Sequence, residues 1–247
     1  MKVIFEIAPL DLTVDVIKDF YYQEEPTVHE SKKYLYEYYH ELYEVDKLND
    51  KKEKDNMIYD IVKKEYDRLH KDIENKVAHF SKIWSSYNDN FISALSSYLN
   101  TSWHKNKDEI IGYVSAVPIF PRFVEDLSFM VHPNISDEKL IETTAHESTH
   151  FLWFKKISEL NKKPYNEYTS EEWEFSEMVV DPILNSKELN AVLHLNEKAY
   201  PYFYEQEFNG EKIMEHLKNI FNEDISIEDK ITKGFNYYLE YYKSRVE

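Results

Sequence analysis

Two histidines one helical turn apart, with a glutamate between them, are the residues of this chain best suited to chemistry: Thr144-Ala145-His146-Glu147-Ser148-Thr149-His150-Phe151. The pattern is H-E-x-x-H. On a helix, positions i and i+4 share a face, so both imidazoles can reach one metal ion. Glu147 projects toward the same side and can hold the water that completes the coordination sphere. Zinc in a protein lowers the pKa of bound water from about 9 for the aqueous ion to about 7. A carboxylate at Glu147 can then take the proton as water attacks a polarised carbonyl, which is hydrolysis. A five-residue pattern is short, so its setting carries much of the weight.

A catalytic zinc takes three protein ligands and keeps one position open. The chain has no Cys, so the third ligand is His, Asp or Glu. After the motif the candidates are Glu167, Glu171, Glu172, Glu174, Glu177 and Asp181. The run Glu177-Met178-Val179-Val180-Asp181 stands out, because its two acids sit at i and i+4 and face the same way. Glu177 can bind the metal while Asp181 accepts the far N–H of a ligand histidine and sets its tautomer. Glu174 is the next choice of ligand. Pro182 disfavours helical backbone at Asp181. A second reading therefore ends the helix there, with Asp181 as N-cap and Pro182 as the first residue of a new helix.

With these residues the chain resembles the gluzincin zinc metallopeptidases, the thermolysin-like family, which carry H-E-x-x-H on one helix and E-x-x-x-D on a following one. The resemblance covers roughly residues 110–182. It implies His146, His150 and Glu177 as zinc ligands, Glu147 as general base and Asp181 as the carboxylate behind a ligand histidine. It also implies an edge strand beside the active-site helix that pairs with extended substrate, and residues 113–117 are the candidate. Such families often add a Tyr or His from the C-terminal half to stabilise the tetrahedral oxygen. His194, Tyr200, Tyr202 and Tyr204 are available, with His194 and Tyr204 preferred. The activity implied is that of a zinc-dependent metallopeptidase acting on a peptide or protein substrate. Two other classes fit the same residues: a binding or regulatory protein on a zincin scaffold, and a zinc hydrolase of a non-peptide amide or ester. The retained Glu147 counts against the former, since a purely structural metal site does not need that carboxylate.

Composition limits the alternatives. The chain has 247 residues, 42% of them hydrophobic, which is ample for a core. Without Cys no disulfide framework exists. The net charge of -17 argues against nucleic acid and against anionic membrane surfaces as partners. Residues 1–10 carry a short apolar run interrupted by Glu6 and Pro9, too short for a signal peptide. No apolar run of 18 residues occurs, so no membrane span is expected and the expected compartment is cytoplasmic. Only 3 Gly and 8 Pro occur among 247 residues, a helix-rich composition.

The elements that must position the motif follow from periodicity. Strands are expected over 2–8, 109–120 and 127–132. Helices are expected over 13–20 and 30–47, then one or two long ones over 50–99, broken near Ser85-Ser86-Tyr87-Asn88. Ser136, Asp137 and Glu138 open the motif helix, which runs to about residue 160. Thr169 and Glu172 form a capping box for the next helix. Further helices follow over 186–195, 211–221 and 226–242, with an aromatic loop at 200–204. His70, His79 and His132 read as surface, core or loop residues rather than ligands. The fold class is α+β and mostly helical, as a single zincin-like domain over 1–247. Its N-terminal helical layer is 1–108. Its catalytic core and C-terminal helices are 109–247, with a small sheet of three to five strands packed on the active-site helix.

Overall fold

A computed structural model describes residues 1–23, 31–166 and 168–246. Glu30, the start of one expected helix, and Glu167, one candidate ligand, lie outside the described residues. The protein is mostly helical with a small mixed sheet. Strand β1 (Lys2–Ile7) leads to helices α1 (Leu10–Tyr22), α2 (Ser31–Tyr38), α3 (Leu42–Val45), α4 (Lys51–Ser85) and α5 (Asn88–Tyr98). Strands β2 (Glu109–Val114), β3 (Arg122–Phe123) and β4 (Ser128–Val131) precede α6 (Asp137–Asn161), α7 (Ser170–Leu184) and α8 (Lys187–Leu193). A 3-10 turn (Pro201–Tyr204), the hairpin β5 (Glu207–Phe208) and β6 (Glu211–Lys212), and helices α9 (Ile213–Phe221) and α10 (Ile227–Val246) complete the order. Among the described residues, no helix is long and apolar enough to cross a membrane.

The chain forms two compact units, each drawing on both halves of the sequence. One comprises Val3–Trp84 and Ile110–Leu140 and holds the four-stranded sheet, in the order β1-β2-β4-β3. Strand β2 pairs parallel with β4, with Gly112 opposite Phe129, and β3 pairs antiparallel with β4. This order corrects one expectation. The stretch 113–117 is not an edge strand, because β2 is flanked by β1 and β4 and has no free ladder for an extended substrate; the edges are β1 and β3. The strand also stops at Val114 rather than running to 120. Ser115 Oγ accepts from the Val117 N–H at 3.1 Å, a local bond that competes with ladder pairing, and Pro118 has no N–H to donate. Gly112 is required by close approach: a Cβ there would lie 2.6 Å from the Phe5 ring and 3.1 Å from that of Phe129.

The expected helix over 30–47 divides into α2 and α3. Tertiary bonds explain the break. The Tyr39 hydroxyl donates to the Ala116 carbonyl at 2.8 Å, and Tyr21 and Tyr36 both donate to Asp46 at 2.8 Å. A helix this short gains too little from its own ladder to resist them.

His132 lies at the end of β4 and is only 7% exposed. Its Nδ1 accepts from the Asn134 N–H at 3.2 Å, so its Nε2 carries the proton toward the Tyr38 hydroxyl at 2.9 Å. Tyr38 donates in turn to Glu65 at 2.5 Å, and Glu65 is held by Arg68 at 2.6 Å. Burial pushes the His132 pKa down from 6.5 to about 4, with the Glu65 charge opposing and Arg68 assisting. Between those values the unfolded chain binds a proton that the folded chain refuses. Stability is therefore retained above pH 6.5 and lost as the pH falls toward 4, by about 3 kcal/mol at full effect. Urea unfolding at pH 7 and pH 4.5 checks this: His132→Gln should show a smaller acid loss than wild type, and equal losses would refute it.

The second unit comprises Met1–Lys2, Ser85–Glu109 and Ile141–Glu247. Its core is aromatic, with Phe175 packed against Trp153, Phe235 and Tyr238 at centroid distances of 5.9, 5.2 and 5.6 Å. Lys156 of α6 is buried and pairs with Glu228 of α10. Helix α7 opens on the expected capping box: Thr169 Oγ1 accepts from the Glu172 N–H at 3.2 Å, and Glu172 Oε2 accepts from the Thr169 N–H at 2.9 Å. The helix then runs through Pro182 to Leu184, so Asp181 is not the N-cap of a new helix. Pro182 lies in the last turn, where its missing N–H forfeits a single ladder bond, and the burial of residues 175–184 holds the helix together around it.

Candidate metal centre

Helix α6 supplies the motif. Over residues 143–154 every side chain is buried except His146, which is partly exposed. Over these turns the helix presents no fully exposed position, although most of its side chains from 143 to 150 are polar. Small residues make room: Ala145, Ser148 and Thr149 are fully buried around the two histidines. Thr149 keeps its hydroxyl satisfied on the Ala145 carbonyl at 2.8 Å. Helix α7 supplies Glu177, from a run in which every residue is buried.

These elements bring three ligand atoms together. His146 Nε2 and His150 Nε2 lie 3.0 Å apart, and each lies 3.5 Å from Glu177 Oε2. The three side chains form a group that can hold a metal ion. His150 and Glu177 are enclosed, at 0% and 1% side-chain exposure, while His146 retains 16%, so the group meets solvent on the His146 side. Glu147 is buried, and its negative charge acts on His146.

The electrostatics call for a cation. Burial opposes charging of the His146 ring. Hydrogen bonds to Glu177 and Glu197, and the charges of Glu147 and Glu177, outweigh that and push its pKa up to about 10. Two imidazole nitrogens at 3.0 Å, both facing a carboxylate oxygen, need positive charge between them: either a proton or a metal ion relieves the repulsion of lone pairs. A buried cluster of carboxylates without such charge is costly.

No family model matches this chain, no curated protein matches its sequence, and no solved structure matches its fold.

The remaining candidates fall elsewhere, each for a visible reason. Glu172 is occupied by the capping box and by Lys163. Glu174 pairs with Arg245 at 3.1 Å. Glu171 lies in the first turn of α7, half-buried. Asp181 is fully buried and is engaged away from the histidines: it accepts from Tyr204, from Lys218 at 2.8 Å and from Asn185 at 2.8 Å. Tyr204 is thereby engaged, and its oxygen also accepts from the Ala199 N–H at 3.1 Å. Burial, and then the bond to Asp181, push the Tyr204 pKa up. His194 is exposed and serves as the left-handed C-cap of α8, with φ 52°.

Glu197 gains a place at the site that its sequence position did not suggest, and Tyr202, available in sequence but not preferred, shows a feature of its own. Glu197 lies 3.1 Å from His146 Nδ1 and is buried at 3% exposure. It sits in an irregular segment, with no periodicity to indicate which way it points. Tyr202 has a buried hydroxyl with no hydrogen-bond partner among the described residues. Its pKa is raised by burial first, then by the charges of Glu174 and Glu177. In sequence it was one tyrosine of several in the aromatic loop.

Proposed function

We propose that this protein is a zinc-dependent hydrolase of the gluzincin kind, a metallopeptidase on a zincin-like fold that cleaves a peptide or protein substrate. One observation carries the reading: His146, His150 and Glu177, the ligand set that the resemblance implies, converge on one point with separations of 3.0, 3.5 and 3.5 Å. Zinc–ligand bonds of roughly 2.0–2.1 Å place tetrahedral ligand atoms about 3.3 Å apart, so the group matches that ion with small adjustments. Bound there, zinc would supply Lewis acidity that polarises a carbonyl and makes water a nucleophile near neutral pH.

The chain's own residues do the rest. Glu147, one position along the helix from His146, would take the proton of the attacking water and return it to the leaving nitrogen. The buried walls around His150 and Glu177 keep the local dielectric low, which strengthens the field acting on developing charge. The partly exposed edge of His146 is the side on which a substrate can approach. A purely structural metal site needs no carboxylate at Glu147, which favours hydrolysis over a binding role.

The test pairs elemental mass spectrometry with hydrolysis of a peptide library, wild type beside His146→Ala. One zinc per chain and peptide cleavage, both lost in the variant, are expected. No metal in wild type after zinc is added back would overturn the reading. Stoichiometric zinc without cleavage of any peptide would remove the peptidase and leave a metal-binding protein.

A further inference from the structure

We infer that Glu197 is the positioning carboxylate of His146, and that Asp181, the residue whose spacing suggested that role, acts one step further out by anchoring the segment that carries Glu197. The inference rests on the metal-site reading above.

The tautomer follows from the contact. An ionised carboxylate only accepts hydrogen bonds. Glu197 Oε1, 3.1 Å from His146 Nδ1, therefore accepts a hydrogen bond from a proton that stays on Nδ1. The Nε2 lone pair is then left facing His150 and Glu177, where a metal ligand must present it. Glu197 thus does for His146 what sequence spacing had suggested for Asp181.

The segment bearing Glu197 has no helix or strand of its own between α8 and the 3-10 turn. It is held by side chains. Asn190 donates to the Leu195 carbonyl at 2.5 Å, Asn185 donates to the Glu197 carbonyl at 2.8 Å, and the Ala199 N–H donates to the Tyr204 hydroxyl at 3.1 Å. Two of these three anchors are themselves fixed by Asp181. Asn185 donates to its Oδ1 and Tyr204 to its Oδ2, while Lys218 at 2.8 Å balances the buried charge. Asp181 thus reaches the metal group through Asn185 and Tyr204, the Glu197 backbone, the Glu197 carboxylate and the His146 ring. A segment without a ladder gains a single conformation this way, and that conformation aims one carboxylate at one imidazole nitrogen.

Zinc affinity of the full chain, measured by chelator competition, tests this without relying on activity. Glu197→Ala should bind zinc 10–100-fold more weakly than wild type. Glu197→Gln keeps an acceptor for Nδ1–H and should recover most of that loss. In the zinc-loaded chain the His146 Nδ1–H proton should be hydrogen-bonded and slow to exchange with water in wild type and in Glu197→Gln, and fast to exchange in Glu197→Ala. Asp181→Asn should weaken zinc as well, yet add little on top of Glu197→Ala, since the two act through one path. Wild-type affinity in Glu197→Ala, or fully additive losses in the double variant, would overturn the assignment while leaving the metal site standing. A wild-type chain that binds no zinc would instead remove the site itself. Should Glu197→Ala fail to fold, the zinc-loaded wild type decides alone: a His146 ring bound to zinc through Nδ1, or an Nδ1–H in fast exchange with water, refutes the role of Glu197.

Discussion

Glu147→Gln is expected to keep one zinc per chain while lowering peptide turnover by about 10²-fold or more, the usual worth of a general base. That corresponds to at least about 2.7 kcal/mol on the barrier. Gln is nearly isosteric with Glu, so a side chain buried on α6 can be replaced without a cavity. It retains hydrogen-bonding capacity but cannot take a proton. The ligand atoms are untouched, since Glu147 is not among the three that converge. Glu147 does contribute negative charge at His146, so zinc affinity should weaken modestly. The loss should fall on kcat with KM little changed, as for a group that acts only in the transition state. Near-wild-type turnover by a zinc-loaded Glu147→Gln protein would sink the mechanism.

His150→Ala should be the variant with the largest effect on metal binding. His150 is fully enclosed, and its Nε2 lies within 3.5 Å of both other ligand atoms. Structural zinc sites bind with apparent free energies of roughly 10–16 kcal/mol. Losing one of three protein ligands should cost roughly 3 kcal/mol or more, a hundredfold or greater weakening. An ion that binds the folded state and not the unfolded one stabilises the fold by mass action. Zinc should therefore raise the Tm of wild type and a chelator should lower it, while His150→Ala should respond to neither. The comparison separates a lost ligand from general damage, because a cavity alone would lower Tm without removing its dependence on zinc. Undiminished zinc affinity would take His150 out of the ligand set.

Local signals carried much of the fold. The break between α4 and α5, the capping box on α7 and the course of the motif helix follow from side chains interacting over one turn or less. The misses have equally specific causes. The strands β3, β5 and β6 are two residues each, too short for any alternation to register. The Asn209-Gly210 turn of the hairpin, with φ of 53° and 81°, is the one local signal that could have revealed β5 and β6. The split of α2 from α3 depends on Tyr39 and Ala116, residues far apart in the chain. The interior place of β2 depends on which strands flank it, and a strand's own residues do not encode its neighbours.

For the site the division is sharper. The sequence by itself determined His146, Glu147 and His150, because helical periodicity alone puts i and i+4 on one face. It also singled out Glu177 and Asp181 as acids one turn apart on a second helix. Only the tertiary structure decided what those two acids do. Helix α7 passes α6 with Glu177 toward the histidines, while Asp181 meets Lys218, Tyr204 and Asn185. The carboxylate on His146 Nδ1 comes instead from Glu197, in a segment with no periodicity of its own, held by Asn185, Asn190 and Tyr204. Periodicity reports which residues share a face within one element. Which face meets which partner is set by packing between elements, and for an irregular segment by hydrogen bonds from side chains distant in sequence.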